Sequence, residues 1–182
     1  MLIHGEKTIL RAVEASDNDL LLRLINDPET EMMLGGSSWP VSRADQLSWF
    51  EKQEKTQDIL RCIVEAKDSG MAVGTVILSD IDQKNGTAQI HIKLSKDGGR
   101  GRGYGTDAVK SIVGYAFDEL RLNCIYADIL SYNEISKHLF EKCGFKVEGV
   151  LRSRIYKGGE YIDIFSYSVL KDDISSNRKE TL

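Results

Sequence analysis

Twelve residues near the middle of the chain, Ser95-Lys96-Asp97-Gly98-Gly99-Arg100-Gly101-Arg102-Gly103-Tyr104-Gly105-Thr106, hold five of its 16 glycines together with two arginines. Glycine tolerates backbone conformations that a Cβ would crowd, so the main chain here can wrap closely around a ligand. Directly afterwards Ala108, Val109, Ile112, Val113, Ala116, Phe117 and Leu120 recur at helical spacing. The first N–H groups of a helix have no partner inside it and lie at the positive end of its dipole. A glycine-rich loop that ends there is a phosphate site. Arg100 and Arg102 add charge, and each charge-assisted contact to a phosphate contributes about 1.5 to 3 kcal/mol.

Two common phosphate loops are excluded by spacing. With glycines at 101, 103 and 105, a dinucleotide-binding GxGxxG would need glycine at 106, where Thr106 stands. A Walker A loop ends in Gly-Lys-Ser/Thr, whereas this one ends Gly105-Thr106-Asp107 without a lysine.

The elements that must position the loop are legible around it. Thr8 to Val13 reads as a strand, and Ser16 is placed to cap a helix with Leu20, Leu21, Leu24 and Ile25 on one face. Both prolines, Pro28 and Pro40, and the run Gly35-Gly36-Ser37-Ser38 mark a loop. Ser42 then caps a second helix carrying Leu47, Trp49 and Phe50. Residues 59–66, 72–81 and 87–94 form an antiparallel meander with turns at Lys67-Asp68-Ser69-Gly70 and Asn85-Gly86. After the glycine-rich loop and its helix come an apolar strand at 124–130, a short helix from Asn133 to Cys143 ended by Gly144, and strands at 145–154 and 161–170. The order β-α-α-β-β-β-α-β-α-β-β predicts an α/β fold, one domain over residues 1–171 with a mixed, mostly antiparallel sheet, followed by a polar tail at 172–182.

The loop resembles the coenzyme A pyrophosphate loop of the GNAT N-acetyltransferases, R/Q-x-x-G-x-G/A, matched by Arg100, Gly103 and Gly105. The resemblance extends to Ala88-Gln89-Ile90-His91-Ile92 before it, Tyr115-Ala116-Phe117 and Leu120-Arg121-Leu122 after it, then Tyr132-Asn133-Glu134 and Leu139-Phe140-Glu141-Lys142-Cys143-Gly144-Phe145. Asn26-Asp27-Pro28-Glu29 and the stretch Tyr156 to Asp163 are similar to the branch holding ribosomal-protein N-terminal acetyltransferases and bacterial spermidine acetyltransferases.

That resemblance implies acetyl-CoA as co-substrate and a primary amine as acceptor, either a polyamine or other small cation or a protein N-terminus, by direct attack. It implies that the main chain of Ile92, Lys93 and Leu94 pairs with the pantetheine arm and that Arg100, Gly101, Arg102, Gly103, Tyr104, Gly105 and Thr106 hold the diphosphate. Asn133, Phe140 and Lys142 would line the rest of the channel, and Glu29, Glu31 and Trp39 part of the acceptor wall. It also implies a homodimer. Two family proton carriers are replaced: Gln89 stands at the usual base position and Phe140 at the usual acid position. An amide is no base and a phenyl ring no donor. His91, two residues along the strand and so on the same face as Gln89, is the candidate base, and Tyr132 the candidate acid. The substitutions leave open a coenzyme A-binding module with little or no chemistry.

Bulk properties narrow the setting. A net charge of −4 over 182 residues argues against nucleic acid as partner and suits a cationic acceptor. No stretch approaches the roughly 18 apolar residues of a membrane span, and the N-terminal residues lack the apolar core of a signal peptide. Three cysteines without close spacing signal neither a disulfide framework nor a metal site, so the expected setting is cytoplasmic and metal-free. His4, His138 and Cys143 read as structural.

Overall fold

A computed structural model describes residues 1–35, 39–52 and 57–174. Strands β1 (Ile3–His4), β2 (Thr8–Arg11), β3 (Leu60–Ala66), β4 (Ala72–Asp82), β5 (Thr87–Leu94), β6 (Cys124–Leu130), β7 (Lys146–Lys157) and β8 (Glu160–Leu170) form one sheet in the order β1-β2-β3-β4-β5-β6-β8-β7. The neighbours pair antiparallel except β5 and β6, which run parallel. Helices are α1 (Asn18–Asn26), α2 (Pro28–Met32), α3 (Arg43–Glu51), α4 (Tyr104–Asp118) and α5 (Glu134–Lys142), with a 3-10 turn at Ala15–Asp17.

The α/β class and the mostly antiparallel sheet are as expected, with two additions. β1 pairs with β2 through Ile3↔Leu10. The proline-containing segment read as loop contains α2, because Pro28 sits at the first helical position and Asp27 caps it, accepting from Thr30 N at 2.9 Å. There a proline's missing N–H costs nothing. Ser16 lies within the 3-10 turn and does not cap a helix; Glu14 and Asp17 form the capping box instead. Ser42 caps α3 as expected, reciprocally with Asp45. The segment read as a tail is helical at its start, the turn running from Lys171 to Ile174. Ile174 packs on the core, and Asp173 pairs with Lys146. Residues 175–182, like Gly36, Ser37 and Ser38, lie outside the described residues.

Alternation along the strands divides the sheet into two unlike faces. One carries Val76, Leu78, Ala88, Ile90, Ile125, Ala127 and Val169, and α4 and α5 bury them with Val109, Ile112, Val113, Phe117 and Phe140. The opposite face carries Ile63, Thr75, Ile77, Ser79, Gln89, His91, Lys93, Tyr126 and Asp128 in register across β3 to β6. α1 packs over β4 on that face with Leu20 and Leu24 buried, and Trp49 of α3 lies over Arg61 of β3. Asp107 ties the core side to the sheet's first edge, accepting from the N–H groups of Glu6, Lys7 and Thr8 at 2.8 to 3.0 Å and from the Thr8 hydroxyl at 2.6 Å.

Candidate active site

The site begins where two strands part. β5 and β6 pair only through Thr87↔Cys124, Ala88↔Ile125 and Gln89↔Tyr126, yet β5 continues to Leu94 and β6 to Leu130. Ser95 N donates to Val73 O at 2.8 Å, toward β4. Alternation of an antiparallel ladder then turns the N–H and C=O groups of Leu94 and Ile92 the other way, into the gap. A ligand lying in the gap meets a strand edge.

The gap opens into a cleft of about 540 Å³, with Ile92, Lys93 and Leu94 on one wall and Asn133, Ser136, His138, Leu139 and Lys142 on the other. Its floor is the glycine-rich loop. Gly98, Gly101 and Gly103 have φ of 92°, 77° and 84°, a region where L side chains are strained. The first bond of α4 runs from Asp107 N to Gly103 O at 3.1 Å, so the N–H groups of Tyr104, Gly105 and Thr106 precede the helical ladder. A Cβ on Gly105 would come within 3.1 Å of Leu94, closing the approach between loop and strand. Open amides at the start of a 15-residue helix, beside a free strand edge, fit a diphosphate joined to an extended, amide-bearing arm.

The segment of α2 closes the cleft and is held from three sides. Arg100 pairs with Glu29 at 2.8 Å and donates to Thr30 Oγ1 at 3.2 Å, while Lys96 bridges Glu29 and Asp27 at 2.7 and 3.1 Å. The Thr30 hydroxyl and amide, aided by Lys96, hold the Asp27 carboxyl down at about 2. Tyr132 donates its hydroxyl to Met32 O, and Asn133, capping α5 through Ser136 N, donates to Met33 O at 2.8 Å. From the β7–β8 hairpin the buried Lys157 ammonium reaches the Glu31 carboxylate and, at 2.9 Å, the Glu31 carbonyl.

Beyond the last β5–β6 pair lies a polar patch on the sheet face that α1 and α3 leave uncovered. Gln89 donates to Asp128 Oδ2 at 3.3 Å, and His91 Nε2 is 2.9 Å from Ser79 Oγ. Desolvation between the strands lowers the His91 pKa, against the pull of Asp80 and Asp128, and favours the neutral ring. Burial likewise lowers the Lys93 pKa, opposed by Glu31.

Residues 7–146 match the family described as Acetyltransferase (GNAT) domain. The chain is a GNAT acetyltransferase. It is 30% identical over 171 residues to the N-acetyltransferase p20 of Bacillus licheniformis, spanning 93% of this chain and 96% of that one. Spermidine N(1)-acetyltransferase of Vibrio cholerae is 26% identical over 163 residues, 89% of this chain and 92% of that one. The crystal structure of spermidine N-acetyltransferase from Vibrio cholerae with CoA and spermine superposes with a TM-score of 0.85 at 24% identity, covering 93% of this chain and 98% of that chain. Acetyl-CoA is thus the co-substrate and an amine nitrogen the acceptor.

Against this frame most residues expected at the coenzyme converge: Ile92, Lys93, Leu94, Arg100, Gly101, Gly103, Gly105, Thr106, Asn133 and Lys142 all line the cleft. Three do not line it. Phe140 is 4% exposed and stacks edge-on against Phe145, since α5 turns that side to the core. Tyr104 is buried and donates its hydroxyl to Asp68 at 2.6 Å. Arg102 is exposed, its carbonyl accepting from Lys7. Glu29 lines the cleft paired with Arg100, and Trp39 is 79% exposed. His138, read as structural, lines the cleft, because it lies three positions after Ile135 on the helix face that α5 turns outward. Asp128 carried no motif, and only the register of β5 on β6 brings it to Gln89.

Proposed function

We propose that this acetyltransferase acetylates a small polycationic amine that enters over the uncovered sheet face, with its reacting nitrogen between His91 and Asp128. The observation that carries the reading is the placement of Asp80, Asp128 and Gln89 around His91, beside the point where β5 and β6 separate. Carboxylates there attract an ammonium and orient it. The polyamine named for the Vibrio cholerae relatives supports the class of acceptor.

In this reading Gly101, Gly103 and the amides of Tyr104 to Thr106 hold the diphosphate. Ile92 and Leu94 align the pantetheine arm, and Asn133, Leu139 and Lys142 close the far wall. Acetyl-CoA supplies an activated acyl carbon in a thioester. Asp128 holds the incoming ammonium, and neutral His91 accepts a proton from it. A lysine-like amine costs about 4 to 5 kcal/mol to deprotonate at pH 7, so a neutral imidazole beside a carboxylate meets a real demand. With Phe140 in the core, the proton for the departing sulfur comes through water, and Tyr132, whose hydroxyl is engaged by Met32, serves to hold the α2 segment.

An acceptor panel of spermidine, spermine, an aminoglycoside and peptides with free α-amino groups, scored by coenzyme A thiol release, tests the reading. Turnover of the polyamines is expected. Release confined to the peptides would replace the small polycation with a protein N-terminus, and the same protein's mass in solution decides whether the enzyme works as a dimer.

A further inference from the structure

The β-bulge in β4 sits beside His91. Ser79 opposes Gln89 and Asp82 opposes Thr87, so Asp80 and Ile81 together face the single residue Ala88. Asp80 has φ 50°, a left-handed conformation that aspartate and asparagine adopt more readily than other residues with side chains. The Ile81 N–H leaves the ladder and donates to Asp58 O at 3.0 Å.

The bulge decides where Asp80 points. Regular alternation would put its carboxylate on the face of Leu78, which is 0% exposed, inside the apolar core. The extra residue returns it to the outer face, where Ser79 Oγ donates to Asp80 Oδ2 at 3.2 Å. A serine hydroxyl has one hydrogen. With that hydrogen directed at the carboxylate, Ser79 Oγ is an acceptor toward His91, and the 2.9 Å contact is His91 Nε2–H to Ser79 Oγ. The neutral ring then carries its lone pair on Nδ1.

Resting on the reading of His91 as base, we infer that Ser79 and Asp80, presented by the β4 bulge, are positioning residues that fix the Nε2–H tautomer of His91 and leave Nδ1 to take the acceptor's proton. Protons balance as follows. The acceptor ammonium gives one proton to Nδ1, and its nitrogen forms the N–C bond as the C–S bond breaks. The nitrogen's second proton reaches the thiolate through water, and Nδ1 later returns its proton to solvent. Asp80, through Ser79, stabilises the imidazolium in between. The charged and titratable groups facing His91 are Asp80 from β4, Lys93 from β5, and Asp128 and Tyr126 from β6.

The test is 15N NMR of the imidazole rings in the full chain without ligand, the His91 signals being identified by their loss in His91→Gln. At pH 8 a nonprotonated Nδ1 and a protonated Nε2 are expected for His91. Asp80→Asn should lower its titration midpoint, because removing an anion destabilises the imidazolium. Ser79→Ala should populate the other tautomer. Asparagine keeps the left-handed backbone, and Asp80→Gly, which keeps the bulge while removing the carboxylate, should act like Asp80→Asn. An Nδ1–H tautomer in the wild type, or a midpoint that neither Asp80 variant moves, overturns the inference. Turnover separates the two levels. With spermidine, His91→Gln should fall about 100-fold, in the range of a lost general base, and Asp80→Asn about tenfold with the KM for acetyl-CoA unchanged. Wild-type turnover in His91→Gln refutes the base itself. Loss there without loss in the Ser79 and Asp80 variants refutes only the relay.

Discussion

The two ends of the cleft are built in opposite ways. The end proposed for the diphosphate is one contiguous stretch, Gly99 to Thr106, whose φ angles and open amides belong to its own residues. The end proposed for the acceptor is stitched together from four distant pieces: Ser79 and Asp80 on β4, His91 on β5, Asp128 on β6, and an α2 segment held by Lys157 and Tyr132. A contiguous site tolerates change elsewhere and fails when one of its own residues changes. A stitched site fails whenever any of its ties is cut, and each tie can be replaced independently. Such a division lets one coenzyme site be kept while acceptors vary.

The contrast is broken most severely at Gly103. A glutamate there must adopt φ 84°, meets Lys7 Nζ at 3.1 Å from its Cβ, and brings a negative charge to the diphosphate. In the wild type, acetyl-CoA at 100 times Kd stabilises by about 2.7 kcal/mol, a rise of roughly 5 to 10 °C in Tm. Gly103→Glu is expected to show no rise in a thermal-shift titration, with its unliganded stability down by only the roughly 1 to 2 kcal/mol of left-handed strain. Retained stabilisation by acetyl-CoA would move the diphosphate away from this loop.

Next in size is the acceptor end's buried tie. Lys157 has a side chain 4% exposed and Glu31 one 21% exposed, so Glu31→Gln strands an ammonium in the interior. Breaking such a pair costs about 3 kcal/mol, or roughly 6 to 12 °C in Tm for a chain of this size. The expected functional signature is a raised KM for the acceptor with a smaller change for acetyl-CoA. Equal changes in both would show that α2 belongs as much to the coenzyme as to the acceptor.

This division also explains what could be read before any coordinates. Arg100, Gly103 and Gly105 were legible because their spacing is the site, and the long helix after them because Ala108 to Leu120 keep one period. Asp128 and Asp80 were not, since one depends on strand register and the other on a bulge that reverses a residue's face, and neither leaves a mark in local sequence. Phe140 misled in the other direction. Its place in a family motif suggested the channel, whereas its rotation on α5 sends it to Phe145 and the core. Pro28 misled because a proline signals a break in most positions and a helix start in one.

Asp107 offers a finer probe of the contiguous end. Burial alone would raise its pKa, but the Thr8 hydroxyl and the N–H groups of Glu6, Lys7 and Thr8 outweigh it and hold the carboxyl below its usual value. A carboxylate with a folded pKa below its unfolded one contributes stability that is present above the unfolded pKa near 4 and is lost as pH falls through the folded value. Asp107→Asn keeps the shape and removes the charge, and should cost about 1 to 2 kcal/mol at pH 7. The difference in urea midpoint between variant and wild type should be largest at pH 7 and narrow as pH falls below the unfolded pKa near 4. A variant as stable as the wild type at pH 7 would mean that shape, not charge, holds α4 to β2.

The smallest effect is expected at Tyr132, and it bears directly on the stitched end. Its hydroxyl donates to Met32 O, while burial and the nearby Glu31 raise its pKa. A hydroxyl already committed to a main-chain carbonyl and made a weaker acid by its surroundings is poorly placed to protonate a departing thiolate. Tyr132→Phe should therefore lose only the net value of one hydrogen bond, about 1 kcal/mol. It should raise acceptor KM a fewfold as the α2 segment loosens, and leave kcat within about threefold. A fall in kcat approaching 100-fold, with the alkaline limb of its pH profile abolished, would instead make Tyr132 the proton donor to sulfur. The α2 segment would then have to release it during each turnover.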